Sequence, residues 1–277
     1  MQRLQDAMAL AAGRAMMANG VNRLGASMSI LKKLFGPDDD QALIYDAGSL
    51  VETTVTRFPL IRCHSDLAQA VIAKEAQNRD HTPIIIGSIR SVELLNDATP
   101  RPITDIALRA AKFDFPAWME QAKLDWAARS KNNKQPVPPR GPSDTHTNHA
   151  DAIDSAVWDP ARGAALQTIY IALFPTADPT EVPAYLDCGG WNAFPETEVH
   201  MGLMRRWRDR FGARLIGHSH DTLTFHVLRP PHTLAEALTL AEEHYAYCPD
   251  VVDQGFETLD ALAGALLNAA TWQFWWD

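Results

Sequence analysis

The sequence has few of the features that mark membrane, disulfide-bonded or nucleic-acid-binding proteins. None of its apolar runs approaches the roughly 20 residues that a membrane-spanning helix needs. It has only three cysteines, Cys63, Cys188 and Cys248, and this odd, widely spaced set is typical of free thiols in a reducing compartment. A net charge of −9 lacks the basic excess that phosphate binding requires. We therefore predict a cytoplasmic protein with no transmembrane segment and no nucleic-acid partner.

Sequence motifs for nucleotide and metal chemistry are also missing. The glycine spacings of dinucleotide-binding and phosphate-binding loops do not occur, nor do H-E-x-x-H or a calcium-binding loop. His146 and His149 lie three residues apart, but in a polar segment where histidines are usually solvated. We expect no cofactor and no metal site.

Positive charge is concentrated in residues 1–36, which carry five basic residues and one acidic residue, a net +4 that leaves −13 for the rest of the chain. The same segment has apolar residues at 4-3-4-3-4 spacing: Met17, Val21, Leu24, Met28, Leu31 and Phe35. This spacing predicts an amphipathic helical arm. We expect the arm to dock on its own body or to form a homo-oligomer with a second copy; a membrane-surface helix is the alternative.

Three further regions follow the arm. Residues 37–129 alternate strand and helix patterns, which predicts a small N-terminal α/β region. Ser130–Ala150 contains four prolines and a single large apolar residue, Val137, so we predict an exposed, flexible linker. Residues 151–277 are predicted to form a C-terminal domain.

The C-terminal domain is predicted to be α+β, with a mostly antiparallel sheet and helices packed on one face. Helices are expected from Pro195 to Phe211, from the capping box at Thr233–Glu236 to about Tyr247, and over Thr258–Asn268. The predicted strands are Thr168–Phe174, Val182–Leu186, Arg214–Gly217, Thr222–Leu228 and Thr271–Trp276.

Three segments of this domain resemble a known family. They are V-P-A-Y-L-D-C-G-G-W-N-A-F-P-E-T-E-V-H (182–200), A-E-E-H-Y-A-Y-C-P-D-V-V-D-Q-G (241–255) and W-Q-F-W-W-D (272–277). From about Gln167 onward their order and spacing resemble the bacterial family catalogued as domain of unknown function 4253. The likeness is weak over residues 41–95. The resemblance implies a domain boundary and brings no activity with it.

Reactive side chains are concentrated in His244–Gly255. His244 and Cys248 are four residues apart near a helix end, so they could form a nucleophile and its base. Against this, the C-terminus of a helix disfavours a thiolate and is a place where a charged histidine is welcome. We predict that Cys248 is a small buried residue.

The two carboxylates of this segment allow two interpretations. Asp250 and Asp253, with His200, His244 or Asp277 nearby, could hold a divalent ion in a metal-assisted hydrolase. Alternatively, Asp253 caps the following helix and Asp250 bonds its own turn. We favour the structural interpretation.

Aromatic residues suggest a recognition surface. Trp191 and Asn192 follow two glycines, and one or more of the tryptophans of the last strand should face outward because neighbouring strand residues alternate. Aromatic-rich edges without catalytic spacing are typical of binding surfaces. We predict a binding module for a protein partner, of the toxin-immunity kind, rather than an enzyme. Its candidate surface comprises Trp191, Asn192, His200, His244, Tyr247, Asp250, Asp253 and Asp277.

Overall fold

The computed structural model of the protein describes residues 47–51 (backbone only), 58–94, 103–141, 156–159, 162–186, 188–190, 193–219 and 221–277. The arm predicted for residues 1–36 lies outside these ranges, as do Trp191 and Asn192. The chain divides into two compact units that interleave along the sequence. The first draws on residues 1–97, 153–177 and 217–220, and the second on residues 98–152, 178–216 and 221–277.

Strands and helices are interspersed along the chain. The strands are β1 (Ala47–Val51), β2 (Leu60–His64), β3 (Thr82–Gly87), β4 (Trp158–Asp159), β5 (Ala164–Ala165), β6 (Thr168–Phe174), β7 (Arg214–His218), β8 (Thr222–His226) and β9 (Thr271–Trp275). The helices are α1 (Ala68–Glu75), α2 (Ile89–Leu94), α3 (Ile103–Ala110), α4 (Phe115–Asn133), α5 (Val182–Leu186), α6 (Thr197–Phe211), α7 (Leu234–Tyr247) and α8 (Leu259–Leu266). A π-helical turn, Val251–Phe256, lies between α7 and α8. Within the described residues, no helix is long and apolar enough to cross a membrane.

The first unit is built on strands in the order β1-β2-β6-β3. These three pairings are antiparallel, and β3 also forms a parallel bridge from Ile85 to Gly217 at the end of β7. The buried strand that T-P-I-I-I-G predicts is present as β3, all six residues of which are buried. Its side chains pack with those of β2 and β6, among them Cys63, Ile169 and Ile171.

In the part of the second unit that the structure describes, strands β8 and β9 and most of β7 combine with helices α3 to α8. Strands β8 and β9 are antiparallel, with Thr222 opposite Trp275 and His226 opposite Thr271. Alternation along β9 buries Trp272 and Phe274, and Trp276 just beyond the strand is buried as well. The predicted class is confirmed, since the protein is a mixed α+β structure with mostly antiparallel strand pairing.

The strand predicted at Val182–Leu186 is wrong, because this segment is helix α5. The Asp178 side chain accepts a hydrogen bond from the Thr180 amide and starts a 3-10 turn that leads directly into the helix. Pro183 lacks the N–H that a strand ladder needs but fits the first turn of a helix. The β-branched and aromatic residues of the segment favoured a strand only on propensity, which packing readily overrides.

The segment predicted to be a flexible linker begins as regular structure. Ser130–Asn133 complete α4, which ends at Lys134 in the left-handed conformation. Further on, the Pro139 carbonyl accepts a hydrogen bond from the Leu259 amide at 2.9 Å, and the Gly141 amide donates to Asp260 at 3.1 Å. Residues 142–150 lie outside the described ranges.

Candidate functional site

A buried aromatic cluster lies at the centre of the second unit. Trp207 of α6 stacks on Phe274 of β9, with the ring centroids 5.5 Å apart and the planes within 2°. Tyr247 and Trp272 meet Trp207 edge-on, at 5.1 and 5.8 Å. Each of these side chains is at most 2% exposed. The cluster is the packed core against which the candidate site residues are placed.

His200 and Tyr247 form a hydrogen-bonded pair inside this cluster. His200 Nδ1 lies 2.5 Å from the Tyr247 hydroxyl, joining α6 to the last residue of α7. The edges of Phe194 and Trp276 enclose the imidazole. Burial raises the pKa of Tyr247 well above its usual value, so the phenol is neutral. The pair therefore joins two helices in a place that solvent does not reach.

His244 is equally buried, which changes its expected role. Its ring packs against the edges of Trp272 and Phe274, with centroids 4.8 and 4.7 Å away. Burial lowers its pKa from 6.5 to about 3, so the imidazole is neutral near pH 7. A charged imidazole at the end of α7 is therefore disfavoured, because desolvation outweighs the helix dipole here.

Cys248 is buried, as predicted, and its thiol is bonded to the backbone. The Sγ–H donates to the Trp275 carbonyl at 2.9 Å, which directs the thiol towards β9. Burial raises the pKa of Cys248 to about 12, so the thiol stays protonated at neutral pH. A thiolate is the reactive form of cysteine, and this environment opposes its formation.

The two carboxylates bond elsewhere than predicted. Asp250 Oδ2 accepts from the Asp277 amide at 3.1 Å, and Asp253 accepts from the Tyr245 hydroxyl at 3.2 Å. Helix α8 is capped by Thr258, whose hydroxyl accepts from the Ala261 amide at 3.1 Å. The predicted capping role of Asp253 is thus wrong. The cause is the π-helical turn, which adds a turn of helix after Pro249 and moves the start of α8 beyond Asp253.

We call the carboxylates of Asp250, Asp253, Glu257 and Asp277, together with the half-buried indole of Trp275, the acidic corner. A hydrogen bond from the Asp277 amide joins the end of the chain to Asp250. Gly255 lies directly on this indole, since a Cβ at that position would come within 2.8 Å of the ring. The side chains of Asp253, Glu257 and Asp277 are exposed. The corner therefore presents negative charge beside an aromatic ring.

A buried ion pair that the sequence did not predict holds α6 to α7. Glu243 is 2% exposed and accepts from Arg206 and Arg210 at 2.9 and 2.7 Å. The Trp207 indole donates to the same carboxylate at 2.9 Å. A buried carboxylate needs such partners to offset its lost hydration. A sequence signal for this ion pair was available, because Arg206 and Arg210 lie one helical turn apart in α6 and Glu243 lies on the apolar face of α7.

The structure brings together only some of the candidate residues. His200 is hydrogen-bonded to Tyr247, and Asp250 is hydrogen-bonded to Asp277. His244, in contrast, packs among aromatic rings. Within the described ranges, no group of three or more His, Cys, Asp or Glu side chains is arranged to hold a metal ion.

Fold and site together define an α+β protein with an aromatic core and an acidic surface over its C-terminal segment. Residues 170–277 match the family described as "Domain of unknown function (DUF4253)". The resemblance inferred from the three sequence segments is therefore confirmed for this part of the chain. Comparison with curated proteins and with solved structures found no match.

Proposed function

We propose that the protein is a cytoplasmic binding module whose acidic corner takes a basic segment of a protein partner. One observation carries the proposal. The nucleophile and base candidates, Cys248 and His244, are buried, and the Cys248 thiol is bonded to the backbone, whereas Asp253 is exposed in the segment that lies against Trp275. Such a surface offers Coulomb attraction and an aromatic contact to a cation without offering a reactive group.

The charge distribution supports a basic partner. Residues 170–277 contain fifteen acidic residues and six arginines, with no lysine, so this segment alone accounts for the net −9 of the chain. Opposite charge on a partner raises the rate of encounter and disfavours acidic competitors. A small basic toxin, bound in the manner of an immunity protein, is the specific form of partner that we propose.

The alternative of a metal-assisted hydrolase has less support. It requires Asp250, Asp253 and a histidine to converge on one ion. Asp250 is engaged by the Asp277 amide and Asp253 by Tyr245, while His200 and His244 are enclosed by aromatic rings. A cytoplasmic location is consistent with Cys63, Cys188 and Cys248, which are all free thiols.

Binding of an oligo-arginine peptide by calorimetry, at low and high salt, tests the proposal. We expect salt-sensitive binding that the double variant Asp253→Asn/Glu257→Gln weakens by about tenfold, the effect of losing about 1.4 kcal/mol. Asp105→Asn/Asp209→Asn, which removes two exposed carboxylates, one on α3 and one on α6, is the matched control and should bind like the wild type. Equal weakening by the control, or no binding by the wild type, would contradict the proposal.

A further inference from the structure

One segment outside the family match lies against the acidic corner. Residues 115–141, which we call the basic cover, comprise α4 and the chain that follows it to Gly141. They contain five basic and two acidic residues, a net +3. The cover and the corner belong to the same compact unit. A segment of positive charge therefore lies beside a surface of negative charge within one unit.

The ion pairs between the basic cover and the family-matched segment all place the positive charge on the cover. In the described chain, three ion pairs join the cover to the family-matched segment, and the cover supplies the cation in each. They are Lys123 with Glu242 at 2.9 Å, Arg129 with Asp253 at 3.8 Å, and Arg140 with Asp260 at 2.6 Å. Arg129 thus already occupies a carboxylate of the acidic corner in the way that a basic partner would.

Helix α4, the part of the cover that contacts the corner, is attached mainly through exposed groups. Of the nineteen residues of α4, only Met119 and Trp126 are buried. Trp126 packs on the ring of Tyr245, whose hydroxyl bonds Asp253. The Arg129 and Asp253 side chains are 48% and 35% exposed, so water and salt weaken their attraction. A helix held in this way opens at a lower cost than one that is packed in the core.

Both ends of the cover, by contrast, are firmly tethered. At its end, the Arg140 side chain and the Gly141 amide donate to Asp260 at 2.7 and 3.1 Å. At its start, Phe113 packs so closely on Gly202 of α6 that a Cβ on this glycine would clash with the ring. The Arg206 guanidinium lies 3.5 Å above the ring of Phe115. Tethers at both ends keep α4 at high effective concentration near the corner. The part of α4 that contacts the corner can therefore leave and return without being lost.

We propose that the basic cover is an autoinhibitory occupant of the acidic corner, which a basic segment of the partner displaces. This inference rests on the proposed function and adds its regulation. While the cover is seated, only the open fraction of molecules is competent, and the affinity for the partner is reduced by that fraction. Weakening the contact between Arg129 and Asp253 should therefore tighten the binding of a basic ligand.

The test compares Arg129→Gln with Lys131→Gln in the full-length chain. Both variants remove one positive charge from α4, but Arg129 alone of the two contacts the corner in the described structure. With the oligo-arginine peptide as probe, we expect Arg129→Gln to bind several-fold more tightly than the wild type, and Lys131→Gln to show less than half of that gain in affinity. Equal gains would mean that net charge alone is responsible and would overturn the inference.

Hydrogen exchange on the wild type provides a second measurement that needs no variant. Amides of α4 from Trp126 onward should exchange faster when the peptide is bound, while those of α6 should not change. Slower exchange in α4 would mean that the peptide binds without displacing the cover, and would overturn the inference. If Arg129→Gln binds as the wild type does while Asp253→Asn/Glu257→Gln binds weakly, the autoinhibition fails and the proposed function stands. If neither change affects binding, both fail.

Discussion

At the scale of single residues, burial decides the chemistry of the most reactive-looking segment. His244 and Cys248 have a spacing that is typical of a nucleophile and its base, yet one is a neutral imidazole and the other a protonated thiol. Whether such a pair is reactive depends on how deeply each side chain is buried, which is a property of the tertiary structure. The sequence predicted the burial of Cys248 from residue type alone, but it could not predict the pairing of His200 with Tyr247 across two helices.

The neutral state of His244 makes a pH prediction. The folded protein resists protonation of this imidazole down to about pH 3, whereas the unfolded chain takes up the proton near pH 6.5. The contribution to stability is therefore complete above pH 6.5 and is lost as the pH falls from 6.5 towards 3, by about 1.4 kcal/mol per pH unit. Urea unfolding of His244→Phe across this range should show a correspondingly smaller pH dependence than the wild type.

The control for this experiment is His226→Phe, which replaces an exposed histidine on β8. Its pH dependence should be close to that of the wild type, because this substitution leaves the buried His244 in place. A His244→Phe variant with the full wild-type slope would mean that His244 is accessible to protons in the folded protein.

At the scale of elements, hydrophobic periodicity and capping motifs predict the longer helices and strands, but they miss the shortest elements. Helix α7 was predicted from its capping box and from the proline that follows it, and Thr233 does accept a hydrogen bond from the Glu236 amide. Strand β6 matches its prediction in both bounds. Helix α5 is only five residues long and the π-helical turn only six, which is too short for hydrophobic periodicity to identify.

The correction at the start of α8 leads to a stability prediction. Thr258→Ala removes the hydroxyl that caps the helix, and we expect a loss of about 1 kcal/mol in the free energy of unfolding. Asp253→Asn leaves every backbone amide bonded as before and should cost less than half as much. The two values come from urea denaturation of single variants. A loss at Asp253 equal to that at Thr258 would restore the capping role for the aspartate.

At the scale of the whole molecule, the two units are not successive stretches of sequence. The second unit takes residues 98–152 from between two stretches of the first, and residues 178–216 and 221–277 from either side of the first unit's residues 217–220. Proline-rich composition predicted a linker at Ser130–Ala150, but Arg140 and Gly141 both bond Asp260 of α8. Such long-range contacts carry no local sequence signal, so composition cannot reveal them.

The interleaving predicts that the family-matched segment depends on residues that precede it. Ile106 and Ala110 of α3 are buried against Met201 of α6 and Ala184 of α5. A fragment of residues 170–277 would expose this contact and the ring face of Tyr245 that Trp126 covers. We expect the fragment to show no cooperative thermal transition, whereas residues 98–277 retain one. A cooperative transition in the shorter fragment would mean that α3 and α4 are dispensable.

Amide chemical shifts map most directly whether the acidic corner binds a basic segment. Titration of the isotope-labelled protein with the oligo-arginine peptide should shift the resonances of residues 250–257 and 275–277, together with those of α4 from Trp126 onward as the cover leaves. The resonances around His200 in α6, far less exposed, should change little. Shifts that are scattered over the surface, or that avoid the acidic corner, would contradict binding at the corner.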